Sequence, residues 1–297
     1  MRTVAYLGPE KTNTHLAALA RFGRNVRYLH APTVEDVFRL VEREKADFGV
    51  VPIENSLEGA VTYTLDRFID FKQSPVRICG EIEEPIQHYF ITHPTNTRTR
   101  SIRRIQVVYS HPQALAQCRR WLDKNYPRAD LIETASTADA VDKILMNQKK
   151  ALNKFRLWSS LECAAIGRKE LVQGRGLRAV PIPIDRDNRT RFLVLSLKTP
   201  RKRRRSRTSL MFALKDKPGA LHDVLVPFKR ERINLTKIES RPSKRKAWEY
   251  RFFIDFEGHQ DEPRVKKALK ELEACTTECQ VLGSYLVAGK SSSRKRG

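Results

Sequence analysis

Thr190, Arg191 and Phe192 place a hydroxyl, a guanidinium and an aromatic ring side by side in the chain. The apolar run 193–195 follows directly and predicts a buried strand, so these side chains should lie at the mouth of a sheet. A threonine hydroxyl is a poor acid but can orient or relay a proton, and a guanidinium can bind a carboxylate through its planar fork. The alternatives are an internal ion pair for Arg191 and, as the favoured interpretation, core packing for Phe192.

Glu54, Asn55 and Ser56 form a second polar group, shortly after the strand predicted at 47–51. Asn55 can hydrogen-bond a hydroxyl or a carboxylate, and Glu54 could act as an acid if burial raised its pKa. In isolation the three residues would instead indicate a plain turn with an Asx-type local bond. The other polar motifs of the chain favour the functional interpretation.

Two further polar motifs stand at the beginning of predicted helices. Ser110 and Gln113 flank Pro112, which suits the first position of a helix, and Ser136-Thr137 opens the next helix. Exposed amides at a helix N-terminus favour an anion, so both motifs are candidate carboxylate sites. His111 could cap, pack or relay a proton, and an ordinary N-cap is the alternative for Ser136-Thr137.

The elements that must position these residues alternate between strand and helix, which predicts an α/β fold of two lobes. In the first lobe, Thr33 should cap a helix whose stripe of Val34, Val37, Phe38 and Val41 is apolar. In this fold class the default binding site is the cleft between the lobes, near the C-terminal ends of the strands. Strands are predicted at 4–8, 26–29, 47–51, 76–81, 89–91, 105–109 and 131–133, and helices at 12–22, 33–41, 112–122 and 137–146.

The run Arg201–Arg207 contains no apolar residue and marks a boundary. Beyond it the pattern reads strand, helix, strand, strand, helix, strand, which is a ferredoxin-like βαββαβ unit. Between Trp248 and Phe256, apolar and charged residues alternate, which predicts a strand with one buried face.

Bulk composition excludes several classes of protein. No apolar run approaches the ~20 residues that span a bilayer, and residues 1–8 enter a strand without a signal peptide, so we expect no membrane partner. The five scattered cysteines predict free thiols and a cytoplasmic location rather than a metal site. The net charge of +23 is concentrated in part in Arg201–Arg207 and the C-terminal tail. Because no recognition helix or aromatic platform accompanies it, we expect a solvated basic surface that attracts an anionic metabolite, not a nucleic-acid protein.

Val51–Ser56, Tyr109–Gln113, Thr190–Phe192 and Glu239–Ser243 together resemble the motifs of prephenate dehydratase with a C-terminal ACT regulatory domain. The resemblance extends over residues 4–285 and implies a two-lobed, periplasmic-binding-protein-like catalytic domain followed by a ferredoxin-like ACT domain. The implied segments are a catalytic domain at 1–198, with lobes at about 1–75 with 190–198 and at 76–189, a basic linker at 199–207, an ACT domain at 208–287 and a disordered basic tail at 288–297.

The reaction that the resemblance implies is the conversion of prephenate to phenylpyruvate, water and carbon dioxide in phenylalanine biosynthesis. The departing carbon dioxide leaves its electron pair behind, so the reaction needs a proton donor for the leaving hydroxyl rather than a base, and no metal or organic cofactor. Thr190 would face that hydroxyl, with Glu54 and Asn55 as the other catalytic candidates. The implied substrate-binding residues are Thr12, Ser56, Ser110, Gln113, Ser136, Thr137, Arg191 and Phe192.

The first loop departs from the family pattern. Lys11 stands where a glycine is expected, and Asn13 where a phenylalanine is expected. A glycine would permit a positive φ and a close backbone approach, which lysine resists. Lys11 could instead contribute its charge to a substrate carboxylate; the alternative is a weakened site. Residues 155–174, which include Trp158, also fit the family poorly.

The resemblance further implies feedback inhibition by L-phenylalanine, bound between two ACT domains, and a homo-oligomer that is a dimer or a tetramer. Since the sequence begins at the catalytic domain, we expect no fused chorismate mutase segment. A catalytically weakened protein that senses aromatic amino acids is the alternative function, with a nucleic-acid-associated protein as the second rival. The implied effector residues are Gly219, Ala220, Leu221, Asn234, Glu239, Ser240, Arg241 and Pro242.

Overall fold

A computed structural model of the 297-residue chain describes residues 1–70, 73–94, 105–151, 163–183, 188–200, 205–244 and 248–288. Residues 201–204 of the basic linker, 289–297 of the tail and Trp158 lie outside this described part. Contacts divide the chain into two compact units, the first formed by Met1–Pro9, Thr14–Glu84 and Arg189–Gly297, the second by Glu10–Asn13 and Pro85–Asn188. No helix in the described ranges is long and apolar enough to cross a membrane.

The predicted strands and helices appear in the expected α/β order, and the structure adds elements at 59–60, 62–70, 163–167, 169–172 and 178–181 that were not predicted. In chain order they are β1 (Thr3–Leu7), α1 (Asn13–Phe22), β2 (Arg27–Ala31), α2 (Val34–Glu42), β3 (Phe48–Asn55), β4 (Gly59–Ala60), α3 (Thr62–Asp70), β5 (Arg77–Pro85), β6 (Tyr89–Thr92), β7 (Val107–Ser110), α4 (Pro112–Asn125), β8 (Asp130–Glu133), α5 (Thr137–Ala151), β9 (Cys163–Gly167), a 3-10 helix (Lys169–Val172), β10 (Arg178–Pro181), β11 (Arg189–Ser196), β12 (Ser206–Leu214), α6 (Ala220–Arg230), β13 (Leu235–Pro242), β14 (Tyr250–Glu257), α7 (Pro263–Cys275) and β15 (Thr276–Leu286).

The first unit contains a sheet in the order β2-β1-β3-β11-β5, with β4 paired to β3. Strand β1 runs parallel to β2 and β3, whereas β11 returns antiparallel to β3. Strand β5 belongs to this sheet, although the sequence pattern placed it in the second lobe. The chain leaves the first unit only after Glu84, and which sheet a strand joins is set by long-range pairing that its own residues do not show.

Helix α2 forms as the sequence predicts. The Thr33 hydroxyl accepts a hydrogen bond from the Asp36 backbone N–H at 3.1 Å and so caps the helix. The apolar stripe at helical spacing is buried against the sheet, and its members are Val34, Val37, Phe38 and Val41.

The second unit is built around a sheet in the order β10-β6-β9-β7-β8. Strand β7 runs parallel to β8 and β9, and β9 is buried along its whole length. A strand buried on both faces reads as a continuous apolar run, as Cys163–Gly167 does. The parallel strand β7 ends at Ser110, directly before α4, which places the predicted motif at a strand-to-helix junction.

The C-terminal sheet, in the order β13-β14-β12-β15, carries α6 and α7 and confirms the ferredoxin-like βαββαβ unit. The prediction of a single buried face for its third strand, β14, is wrong. Ile254 packs with the two helices, whereas Phe253, 4% exposed, joins the core of the first sheet. Trp248 and Tyr250, expected on the buried face, are exposed. The error arises because the second face of this sheet is covered by the first sheet, a contact distant in sequence.

Gly283 marks a close approach between β15 and the first sheet. A Cβ atom at this position would lie 2.1 Å from the carbonyl oxygen of Ile78. Because that neighbour is backbone, a strand must move to admit a methyl group. We expect Gly283→Ala to lower the free energy of unfolding by about 2–3 kcal/mol, as measured by urea denaturation. Gly80→Ala is the control, since its Cβ would lie 3.6 Å from Val194, an ordinary contact distance. An equal loss in both variants would contradict the steric explanation.

Candidate functional site

Thr190 and Asn55 are brought together by the pairing of β11 with β3. They are direct partners in the register, and the Asn55 Nδ2 donates to the Thr190 Oγ1 at 3.0 Å. Both side chains are buried. The first unit therefore presents a hydroxyl and a carboxamide at adjacent strand ends, in fixed orientation.

The loop after Asn55 explains why its side chain has one orientation. The Asn55 Oδ1 accepts a hydrogen bond from the Leu57 backbone N–H at 2.9 Å, which is the Asx-type turn that the sequence left open. With the oxygen committed to the turn, the NH2 group points to Thr190. The Ser56 Oγ accepts from the Arg189 backbone N–H at 2.9 Å, which ties the same two strand ends together.

Arg191 makes internal ion pairs, the structural alternative named for it above. It faces Glu54 in the register, next to a bulge between Arg191 and Phe192. Its Nε lies 2.7 Å from a Glu54 carboxylate oxygen, its Nη1 3.3 Å from Glu81 and its Nη2 2.5 Å from Asp255. Three carboxylates thus share one buried guanidinium.

Electrostatics keep this guanidinium charged. Burial alone lowers the pKa of Arg191, but the surrounding negative charges, Asp255 foremost, raise it above its ordinary value. Burial also raises the pKa of the Tyr285 hydroxyl, which shares a 2.7 Å hydrogen bond with Ser209. The Ser209 hydroxyl in turn donates to Asp255 at 2.6 Å, so the carboxylate is held from both sides.

Phe192 occupies the core, as favoured from the sequence. It is 1% exposed and packs with Val4, Tyr6 and Val194. Because Phe192 directly follows Arg191, its buried ring fixes β11 in the sheet next to the ion pairs of Arg191.

In the second unit, the side chains of Ser110 and His111 form hydrogen bonds within the protein. The Ser110 hydroxyl is fully buried and donates to the Ile166 carbonyl at 2.8 Å. The His111 Nδ1 accepts from the Gln113 backbone N–H at 3.3 Å and caps α4. The Gln113 side chain itself is exposed at the helix N-terminus.

Ser136 acts as the N-cap of α5. Its Oγ accepts from the Asp139 backbone N–H at 3.0 Å, which is the ordinary role weighed against substrate binding. Thr137, the first residue of the helix, is half-buried.

A polar cluster in the second unit escaped the sequence analysis. The Gln117 Oε1 lies 2.6 Å from the His88 Nε2 and accepts from the Asn188 Nδ2 at 2.7 Å. Burial lowers the pKa of His88, which favours the neutral imidazole. Asn188 comes two residues before Thr190, so the cluster holds the chain where it leaves the second unit. The sequence signal that could have revealed this cluster is Gln117, a polar residue on the side of α4 that faces the core.

The first loop adopts the backbone that the expected glycine would allow. Lys11 has φ 64°, in the left-handed region, and the neighbouring Thr12 is half-buried. The Asn13 Oδ1 accepts from the Arg168 Nη1 at 3.2 Å, so the asparagine that replaces a phenylalanine makes a polar contact.

We expect Lys11→Gly to stabilise the protein by about 1 kcal/mol in thermal or urea unfolding, because lysine is strained at positive φ. Lys11→Ala removes the same charge but keeps a Cβ, so it should bring no such gain. A stabilisation shared equally by both variants would show that charge, not backbone strain, is the cause.

The candidate effector residues lie on two segments of the C-terminal domain. Gly219, at φ 77°, precedes α6 in the left-handed conformation that glycine favours, followed by buried Ala220 and exposed Leu221. Asn234 precedes β13, along which half-buried and exposed residues alternate. The half-buried set includes Glu239 and Arg241, and the exposed set Ser240 and Pro242.

Comparison with known proteins agrees with this architecture. A family model described as prephenate dehydratase matches residues 4–200, and one described as ACT domain matches residues 208–274.

Relatives of known name match nearly the whole chain. A bifunctional chorismate mutase/prephenate dehydratase of Aquifex aeolicus is 45% identical over 282 residues, 95% of this chain and 73% of that protein. A prephenate dehydratase of Bacillus subtilis is 33% identical over 95% of this chain and 98% of its own length. The crystal structure of a prephenate dehydratase in complex with L-Phe from Arthrobacter aurescens has a TM-score of 0.81 and 31% identity, and covers 96% of this chain and 90% of that one.

Proposed function

The chain belongs to the prephenate dehydratase family and carries an ACT domain, and from this premise we propose that it converts prephenate to phenylpyruvate, carbon dioxide and water. The observation on which the assignment of the reacting group rests is the buried hydrogen bond between Asn55 and Thr190.

The chemistry asks little beyond orientation and one proton. The bond between the ring and its carboxylate breaks, and its electron pair enters the ring as the carbon–oxygen bond to the ring hydroxyl breaks. The hydroxyl takes up a proton and leaves as water, and the ring becomes aromatic. Thr190 would hydrogen-bond the departing oxygen and relay the proton, with Asn55 fixing the position of its hydroxyl.

Glu54 takes a supporting part in this proposal. One of its carboxylate oxygens binds Arg191 and the other accepts from the Lys237 Nζ at 2.5 Å. With both oxygens engaged, Glu54 and Arg191 hold the strand ends in place, while Thr190 and Asn55 contact the substrate.

The two substrate carboxylates require donors, for which we retain Thr12, Ser56, Gln113 and Thr137, together with the backbone at Ser110 and Ser136. The exposed Gln113 at the N-terminus of α4 is the strongest of these, because its side-chain amide can donate to a carboxylate. The net charge of +23 attracts a dianion at long range.

L-Phenylalanine is the proposed effector, bound by the Gly219–Leu221 segment, by Asn234 and by Glu239–Pro242. The complex of the Arthrobacter aurescens relative with L-Phe supports this choice. A homo-oligomer, dimer or tetramer, and a cytoplasmic location complete the proposal; the five cysteines form no disulfide.

The test is a turnover assay on the purified protein. Prephenate should give phenylpyruvate, followed by its absorbance, and added phenylalanine should lower the rate. Phenylalanine binding without turnover would instead favour the amino-acid sensor. If the protein neither turned over prephenate nor bound phenylalanine, both assignments would be overturned.

A further inference from the structure

Strand β13 contacts the catalytic domain at strand β3 of the first sheet and at helix α3, through residues on one face of the strand. Lys237 donates to the Glu54 carboxylate at 2.5 Å, and four residues further on Arg241 donates to both Asp66 oxygens at 2.9 and 3.2 Å. Burial alone would raise the pKa of Asp66, but the hydrogen bonds from Arg241 and Lys244 hold it below its ordinary value. The strand assigned to effector binding is therefore ion-paired to the catalytic domain of the same chain.

Lys237 and Glu54 belong to a set of two facing cross-strand pairs, which we name the charge quartet: Glu54, Arg191, Lys237 and Asp255. Glu54 and Arg191 are direct partners of β3 and β11, and Lys237 and Asp255 are direct partners of β13 and β14. Across the interface each cation meets an anion, with Lys237 on Glu54 and Arg191 on Asp255. The arrangement has alternating sign around its whole circumference.

The quartet is one register position away from the candidate catalytic pair. Thr190 precedes Arg191, and Asn55 follows Glu54, on the same two paired strands. Successive residues of a strand point to opposite faces, so the quartet and the Asn55–Thr190 pair occupy opposite faces of the sheet. A shift of the backbone at Glu54 or Arg191 therefore also moves the neighbouring Asn55 and Thr190.

The quartet is also buried enough to matter energetically. The Asp255, Arg191 and Lys237 side chains are 8%, 10% and 11% exposed, and only the Glu54 side chain is more open, at 32%. Removing one partner of a buried charge pair leaves the other charge buried and unpaired, which is costly. The neighbouring strands are then expected to rearrange rather than keep their positions.

We propose that Lys237 and Asp255 of the ACT domain are positioning residues for Thr190, and that the charge quartet transmits effector binding on β13 to the catalytic strands within one chain. This inference rests on the proposed function. The quartet holds the active arrangement, and an effector that shifts β13 weakens it.

Lys237→Met tests the inference, with Lys244→Met as the matched control. Lys244 also ion-pairs with the catalytic domain, through Asp66, but stands outside the quartet. Without effector, Lys237→Met should lower kcat about 10-fold with KM within about twofold of the parent, since positioning acts on the transition state. Lys237→Arg should restore most of the rate, and Lys244→Met should keep it.

Effector response provides the second readout. The Kd of Lys237→Met for phenylalanine, measured by calorimetry, should lie within about threefold of the parent value. The variant should nevertheless lose most of its inhibition, because the coupling between effector and catalytic strands, roughly 5- to 150-fold in typical cases, depends on the removed contact. Parent-like kcat and inhibition in Lys237→Met would overturn the inference.

Failure of the proposed function can be told apart by hydrogen exchange, which needs no turnover. Phenylalanine should change the hydrogen exchange of the backbone amides of residues 53–57 in the parent and in Lys244→Met, but not in Lys237→Met. If the parent turns over no prephenate while this pattern holds, the reaction is wrong and the transmission stands. The same change in all three proteins, or no phenylalanine binding to the parent, would overturn the transmission.

Discussion

Thr190→Val is expected to lower kcat for prephenate by about 100- to 10,000-fold, the range that a positioned proton-transfer group contributes. Valine keeps the shape of threonine but removes the hydroxyl that accepts from the Asn55 Nδ2 at 3.0 Å. The loss should appear in kcat, measured by phenylpyruvate formation, because the hydroxyl is needed when the ring oxygen departs.

Two variants separate chemistry from packing. Thr190→Ser keeps the hydroxyl and should retain activity within about 10-fold of the parent. Thr208→Val removes another buried hydroxyl, which donates to the Gly258 carbonyl at 2.7 Å, and should cost stability but not kcat. Full turnover in Thr190→Val would remove Thr190 from the mechanism.

Arg191→Met should have the largest effect on stability, a loss of about 3–5 kcal/mol in the free energy of unfolding. The guanidinium ion-pairs with Glu54, Glu81 and Asp255, and the Glu81 and Asp255 side chains are 2% and 8% exposed. Methionine fills much of the space but removes the ion pair of the buried Asp255, whereas Glu54 keeps Lys237 and Glu81 keeps Arg207. Denaturant unfolding at neutral pH measures the loss.

Arg189→Met is the matched control two residues earlier on the same strand. Arg189 pairs with Glu83 at 3.1 Å, with side chains 36% and 40% exposed. An ion pair this accessible is worth less than about 1 kcal/mol. If Arg191→Met lost no more than Arg189→Met, the buried network would have no special weight in folding.

Local patterns in the sequence predict much of this fold because the physics behind them is local. The Thr33 cap with its apolar stripe needs only residues within one helix, and the βαββαβ order needs only the succession of periods. The strand after Thr190 was also predictable, since the run Phe192–Leu195 is apolar and is flanked by Arg191 and Ser196. The resemblance to a family supplied the roles of these residues.

What escaped the sequence depends on which surfaces meet. Phe253 alternates with Ile254 and Phe252 as on any half-exposed strand, yet it is buried because the first sheet covers that face. Lys237 and Glu54 are separated by 183 residues, so nothing in their neighbourhoods indicates that they pair. The assignment of β5 to the first sheet was hidden for the same reason.

The candidate site could also be predicted in part from the sequence. The meeting of Asn55 with Thr190 follows from two strand ends in one sheet. By contrast, the ion pairs of Arg191 were only one of two alternatives, since a guanidinium near a predicted pocket binds a ligand or a neighbouring carboxylate equally well.

Met211, Phe253 and Leu282 make the C-terminal domain a poor candidate for excision. All three are buried in the core cluster of the first sheet. Cutting the chain at the basic run Arg201–Arg207 would therefore expose an apolar surface prone to aggregation on both fragments. A regulatory domain taken from another protein would have to match this apolar surface and the charges beside it. Modularity of the gene thus does not guarantee interchangeable parts in the folded molecule.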